Sequence, residues 1–153
     1  MNIELWWLGK TNVKELQSGI SDYTARIQRF NRFAIRELPT GRAKRPGDQI
    51  LADEQIILKN LDARDYVILL DELGEQYTSK GFAKFVDKVL TQPARKIIFI
   101  IGSAYGFGEG LRTRSNHMVA LSAMTFTHDM VRLIFLEQLY RSFSISNNLP
   151  YHH

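Results

Sequence analysis

The 153-residue sequence predicts an α/β fold, a mostly parallel sheet with helices on both faces. Strand-like segments alternate with helical patterns along the chain. The runs YVILL (66–70) and KIIFII (96–101) are continuously apolar, as strands buried on both faces are. No internal repeat, low-complexity tract or linker interrupts the chain, so residues 1–153 read as a single domain.

In chain order, NIELWWLG (2–9) reads as a strand closed by Gly9. TNVKELQSGISDYTARIQRF (11–30) is the clearest helix. Val13, Leu16, Ile20, Tyr23, Ile27 and Phe30 recur at spacings of three and four and make one apolar stripe, and Asn12 with Glu15 resembles a capping box. FAIREL (33–38) is a second strand stopped by Pro39. PTGRAKRPGDQ (39–49) is a loop by its Pro and Gly content, with Arg42, Lys44 and Arg45 close together. Asp48 can cap a helix running to about Leu61. Strand YVILL ends at Asp71, with Gly74 in the turn, and a helix over 79–90 carries Phe82, Phe85, Val86 and Val89. KIIFII runs into the loop GSAYGFGEG (102–110), and HMVALSA (117–123) reads as a last strand before a long helix from Asp129.

Composition narrows the chemistry. The chain is 44% hydrophobic and 24% charged, as ordinary globular proteins are, and a net charge of +4 is compatible with a polyanionic partner without demanding one. With no cysteine there is no disulfide, thiolate nucleophile or zinc–thiolate site. The apolar start, Asn2 to Leu8, is short and contains Glu4, so neither a signal peptide nor a membrane span is expected, and the expected location is cytoplasmic.

In an open α/β sheet ligands bind outside the C-terminal ends of the strands. Leu70-Asp71, the glycine loop after Ile101 and the run from Leu121 to Phe126 fall on that rim. Gly106, Gly108 and Gly110 are spaced G-x-G-x-G, not the dinucleotide G-x-G-x-x-G, and no G-K-[ST] follows. Two readings stay open, a turn that needs positive φ and a backbone that must approach a ligand closely. The four histidines lack metal-ligand spacing, so no metal is expected. Thr127 or Asp129 can cap the last helix beside His128. In that helix Leu133, Phe135, Leu136, Leu139, Tyr140 and Phe143 make a broad apolar face from which Arg132 projects, and so buried it needs a partner. Glu137 and Arg141 stand at i, i+4, the spacing of an ion pair. The opposite side carries Glu137, Gln138, Arg141 and Ser144 but also Met130 and Ile134, and apolar groups on both sides imply a second cover, supplied by another subunit.

IGSAYGFGEG, LSAMTFTHDMVRLIFLEQLYRSFSI and the closing PYHH resemble the ribosomal large-subunit pseudouridine N3-methyltransferases, the RlmH (YbeA-like) family of the SPOUT superfamily. LLDELGEQYTSKGFA (69–83) and IELWWLGK fit the same pattern, so the resemblance covers essentially the whole chain. It implies a SPOUT-type fold with a C-terminal trefoil knot, a homodimer, and S-adenosyl-L-methionine bound in the knot. It further implies methylation of N3 of a pseudouridine in a large-subunit (23S) rRNA stem-loop on the assembled ribosome. By motif position the cofactor contacts are Leu70, Gly102, Leu121, Ser122, Ala123, Met124, Thr125 and Phe126. Arg141, Tyr151 and His152 are assigned to the substrate, with His128 as an acid–base group, and Arg42, Lys44, Arg45, Arg112 and Arg114 are candidate phosphate contacts. Ser103, Thr127 and His153 depart from the family pattern. The alternatives are a SPOUT enzyme with another RNA target and a ribosome-associated RNA-binding protein without catalysis.

Overall fold

The computed structural model describes residues Met1 to His153. Five strands, β1 (Asn2–Leu8), β2 (Arg32–Leu38), β3 (Tyr66–Gln76), β4 (Ile97–Ile101) and β5 (His117–Ala120), form one sheet in the order β2-β1-β4-β3-β5. Every pairing in it is parallel. The helices are α1 (Lys14–Ile27), α2 (Pro46–Asn60), α3 (Ser79–Leu90), α4 (Glu109–Arg114) and α5 (His128–Ser146).

Strand side chains alternate between two cores, which is why the central strands are apolar throughout. Ile3, Leu5 and Trp7 of β1, with Ile97, Phe99 and Ile101 of β4, face a large core closed by α1, α3 and α5. Trp6, Leu8, Ile98 and Ile100 face a smaller one beneath α2 and α4. The parallel α/β expectation is met.

Local expectations fared less evenly. The capping box at Asn12 and Glu15 does not form: Val13 is the N-cap of α1 with no side-chain cap, and the Asn12 N–H donates to Asp129 Oδ2 at 3.2 Å. Helix α2 begins at Pro46, so Asp48 lies within its first turn, complementing the helix dipole rather than capping. The short α4 begins at Glu109, inside the stretch read as the glycine loop, and goes unannounced because six residues are too few for a periodic signal. Strand β5 stops at Ala120 rather than 123.

The largest departure is β3. It does not end at Leu70 but runs to Gln76, and Val119 of β5 is matched first to Leu70 and then to Glu75. Asp71 to Gly74 thereby bulge out of the ladder, with Gly74 against the β5 backbone. At Gly74 the two backbones nearly touch: a Cβ there would lie 2.6 Å from Met118 C and Val119 N. Only glycine fits this contact.

Arg132 is the second organising contact. It is 1% exposed, donates to the Leu8 carbonyl at 3.0 Å and Thr11 Oγ1 at 2.9 Å, and stacks over the Trp7 ring at 4.7 Å. Asp129 stands 3.5 Å away. Burial pulls the Arg132 pKa down and the Asp129 charge opposes that pull. The partner the sequence demanded is thus the end of β1 with the loop that follows. Gly74→Ala is expected to cost about 1–3 kcal/mol through overpacking, read as a lowered urea midpoint. Arg132→Ala leaves Asp129 buried and uncompensated, and a larger loss, about 3–5 kcal/mol, is expected in the same measurement.

Candidate active site

A cleft of about 320 Å³ opens at the C-terminal rim of the sheet, within the size range of small-molecule sites. Its walls are Leu70 to Leu73 from the bulged part of β3, Ile101 to Phe107 from the end of β4 and the loop after it, and Leu121, Ser122, Met124, Thr125, Phe126, His128 and Val131 from the segment after β5 and α5. The apolar side chains give a slot for a flat, poorly hydrated group, and loop backbone supplies hydrogen-bonding atoms. The loops are tied to one another. Asp71 Oδ2 accepts from Arg112 at 3.0 Å and Oδ1 from the Leu73 N–H at 2.8 Å. Glu72 Oε2 accepts from Thr125 Oγ1 at 2.8 Å, joining the first loop to the third. Ser122 Oγ accepts from the Met124 N–H at 2.9 Å, which turns the third loop.

The glycine loop resolves into separate requirements. Gly106 has φ of 81° and its N–H donates to the Ser103 carbonyl at 3.0 Å, so it is the turn residue. Gly108 and Gly110 answer to a side chain instead. A Cβ at either would lie 2.5 Å from the Glu54 carboxylate, which is buried and accepts the Leu111 N–H at 2.9 Å. The close approach read from the G-x-G-x-G spacing is made by this internal carboxylate of α2, seated at the start of α4. Gly102 lies under the Phe107 ring, which a Cβ would meet at 3.1 Å.

Thirteen residues beyond His128, about 20 Å along α5, a second cluster gathers the end of the chain. Arg141 bonds Glu137 Oε1 at 3.1 Å through Nε, and its guanidinium lies 4.9 Å over the Tyr151 ring. Tyr151 donates to the same Glu137 oxygen at 3.0 Å, so the Tyr23 hydroxyl, 2.9 Å away, donates to Tyr151. Burial first, then the bonds to Tyr23 and Glu137, push the Tyr151 pKa far above its ordinary value, and the phenol stays protonated. Arg141 NH1 is 3.1 Å from His152 Nδ1. Arginine only donates, so Nδ1 is the accepting nitrogen and a neutral His152 carries its proton on Nε2.

A family model described as "Predicted SPOUT methyltransferase" matches residues 1–152. The chain belongs to the SPOUT methyltransferase family. Curated relatives named ribosomal RNA large subunit methyltransferase H agree: the Christiangramia forsetii protein is 40% identical and the Geobacter metallireducens protein 38%, each over 100% of this chain and 99% of its own length. Two solved structures share the fold at low identity. A probable methylase family protein from Haemophilus influenzae has a TM-score of 0.55 at 15% identity, covering 96% of this chain and 66% of its own. The tRNA (m1G37) methyltransferase of Aquifex aeolicus has a TM-score of 0.53 at 12% identity, covering 92% and 70%.

In this SPOUT methyltransferase the cleft collects Leu70, Gly102, Leu121, Ser122, Met124, Thr125 and Phe126 of the expected cofactor residues. Ala123 is on the same loop but exposed and not on the wall. Of the expected reactive residues only His128 reaches the cleft, and Arg141, Tyr151 and His152 stand together at the far end of α5. Arg112 and Arg114 are engaged internally, Arg112 with Asp71 and Arg114 with the carbonyls of Asp62 and Asp65, whereas Arg42, Lys44 and Arg45 are exposed. The Asp71–Arg112 and Glu72–Thr125 ties escaped sequence reading, since no spacing rule relates positions so far apart. Two departures from the family pattern have structural work. Thr127 caps α5 by accepting the Met130 N–H at 3.3 Å, and the Ser103 hydroxyl faces the Tyr105 N–H at 3.4 Å. Glu54→Ala removes the only partner of a buried N–H, so a loss of about 1–3 kcal/mol is expected by chemical denaturation. The glycine loop loosens with it, and weaker cofactor binding by calorimetry is the accompanying outcome.

Proposed function

We propose that this SPOUT methyltransferase is a homodimer that uses S-adenosyl-L-methionine to methylate N3 of a pseudouridine in large-subunit rRNA on the assembled ribosome, in the cytoplasm. The relatives' name supports the rRNA target. The observation that carries the two-chain reading is the distance along α5. A group about 20 Å from the cleft cannot act on a ligand held there. A second copy packed on the exposed Tyr105, Met124, Phe126 and Met130 at the start of α5 would bring its own Arg141, Tyr151 and His152 to this cleft. The Asp71–Gly74 bulge and the segment after β5 are read as the trefoil knot of the family.

The cleft fits the cofactor: Leu70, Ile101, Phe107, Leu121 and Val131 offer an apolar slot for adenine, and the Glu72 carboxylate stands at the rim for positive charge. When bound there, the cofactor supplies an electrophilic methyl group. The chain's own task is to hold the base and deal with the N3 proton. Loss of that proton spreads negative charge onto the two flanking carbonyls. Arg141 and the His152 Nε2–H are donors suited to stabilise it, and Tyr151, its own proton on Glu137, holds the Arg141 guanidinium over its ring. His128, on the cleft wall and half exposed, is assigned as the proton acceptor.

Labelled methyl transfer is expected on intact ribosomes in preference to free subunits and protein-free rRNA. Label on transfer RNA alone would move the target elsewhere, and a dimer that binds no cofactor would favour a non-catalytic RNA-binding protein. Arg141→Ala should retain cofactor affinity by calorimetry while transfer drops about 10²–10³-fold. Mixed with a Gly102→Phe chain, which blocks the cleft but keeps Arg141, it should regain activity by forming one intact composite site. No recovery despite subunit exchange would overturn the two-chain reading.

A further inference from the structure

A second concavity, about 380 Å³, lies away from the methyl-transfer cleft, between α3 and the edge of the sheet. Tyr66 and His117, the first residues of β3 and β5, lie on its walls, so it reaches the opposite end of these strands from the cleft. Aromatic rings form much of its surface. Phe85 packs on His117 at 4.7 Å and on Tyr77 at 5.2 Å between ring centroids, and all four rings keep partial exposure. Tyr77 donates to Glu75 Oε2 at 2.8 Å, so the His117 Nε2, 2.9 Å from the Tyr77 oxygen and 3.2 Å from Glu75, is the protonated nitrogen. That network occupies Glu75, the single carboxylate on the wall.

Lys84 and Lys88, one helical turn apart on α3 and exposed, also line the concavity. Lys80 continues the row one turn earlier. None of the three forms a salt bridge. Successive positions in this row rise about 6 Å along the helix axis. Unneutralised cations beside an aromatic wall are the two elements with which proteins hold single-stranded nucleic acid, phosphates on the charges and bases on the rings.

We propose that this groove is a second RNA-binding site, which grips a single-stranded segment of the substrate outside the nucleotide being methylated. The inference rests on the rRNA reading above. It assigns Lys84 and Lys88 to phosphates and Tyr66, Phe85 and His117 to a stacked base.

The test uses the full-length protein, a fluorescently labelled single-stranded oligouridylate and K84Q/K88Q, with K14Q/K59Q as a control of equal charge change on α1 and α2. Anisotropy titrations across salt concentration are expected to give about tenfold weaker binding for K84Q/K88Q. Its salt slope should be shallower by about 1.4, the share of two single-strand phosphate contacts. The control should match the parent, and cofactor binding by calorimetry should be unchanged in all three. On ribosomes KM for K84Q/K88Q should rise with kcat preserved. Equal losses in both double variants would mean diffuse charge attraction and overturn the site, as would an unchanged K84Q/K88Q or full competition by uridine monophosphate. If the parent methylates no ribosome, the rRNA reading fails on that result, while the anisotropy comparison still decides the groove.

Discussion

The register shift between β3 and β5, with its backbone contact at Gly74, is the constraint on which the remaining architecture depends. Because Val119 is matched to both Leu70 and Glu75, the residues between cannot stay in the ladder. They are pushed onto the rim as a wall, Asp71 to Leu73, over the place where the chain leaves β5. The shift sets backbone against backbone at Gly74, and any Cβ there would occupy the space of Met118 and Val119. Strand end, loop position and cleft therefore follow from one steric condition.

Buried charge then fixes what the shift has gathered. Arg132 joins the start of α5 to the end of β1, and Asp129 beside it accepts the Asn12 N–H, so the last helix leaves the rim at a set place. Glu54 does the equivalent for the glycine loop from the other face of the sheet. In both cases an ion that would be costly to bury alone is held by backbone groups that would be costly to leave unpaired. The cleft loops are short of apolar packing, and these polar ties position them in its place.

Helix α5 places His128 on the cleft at one end and Arg141 with the Tyr151–His152 tail at the other. One chain cannot bring them together. The proposed dimer joins them without bending the helix, and it also accounts for Met130 and Ile134 on the side its own chain leaves open. Under that proposal one helix serves one cleft with its beginning and another with its end, and each site depends on assembly.

Much of the fold was legible in the chain. Alternating strand and helix patterns, with continuously apolar YVILL and KIIFII, determined a parallel sheet covered on both faces, because burial on two sides leaves no position for polar alternation. The Glu137–Arg141 pair and the need for a partner at Arg132 were equally local facts. What only the tertiary structure decided is long-range: the length of β3, the use of Gly108 and Gly110 to admit Glu54, the engagement of Arg112 and Arg114, and the separation of His128 from Arg141. A periodic pattern reports which face of an element is buried. It carries no term for which distant backbone or carboxylate will fill the space opposite, and that choice belongs to the folded chain alone.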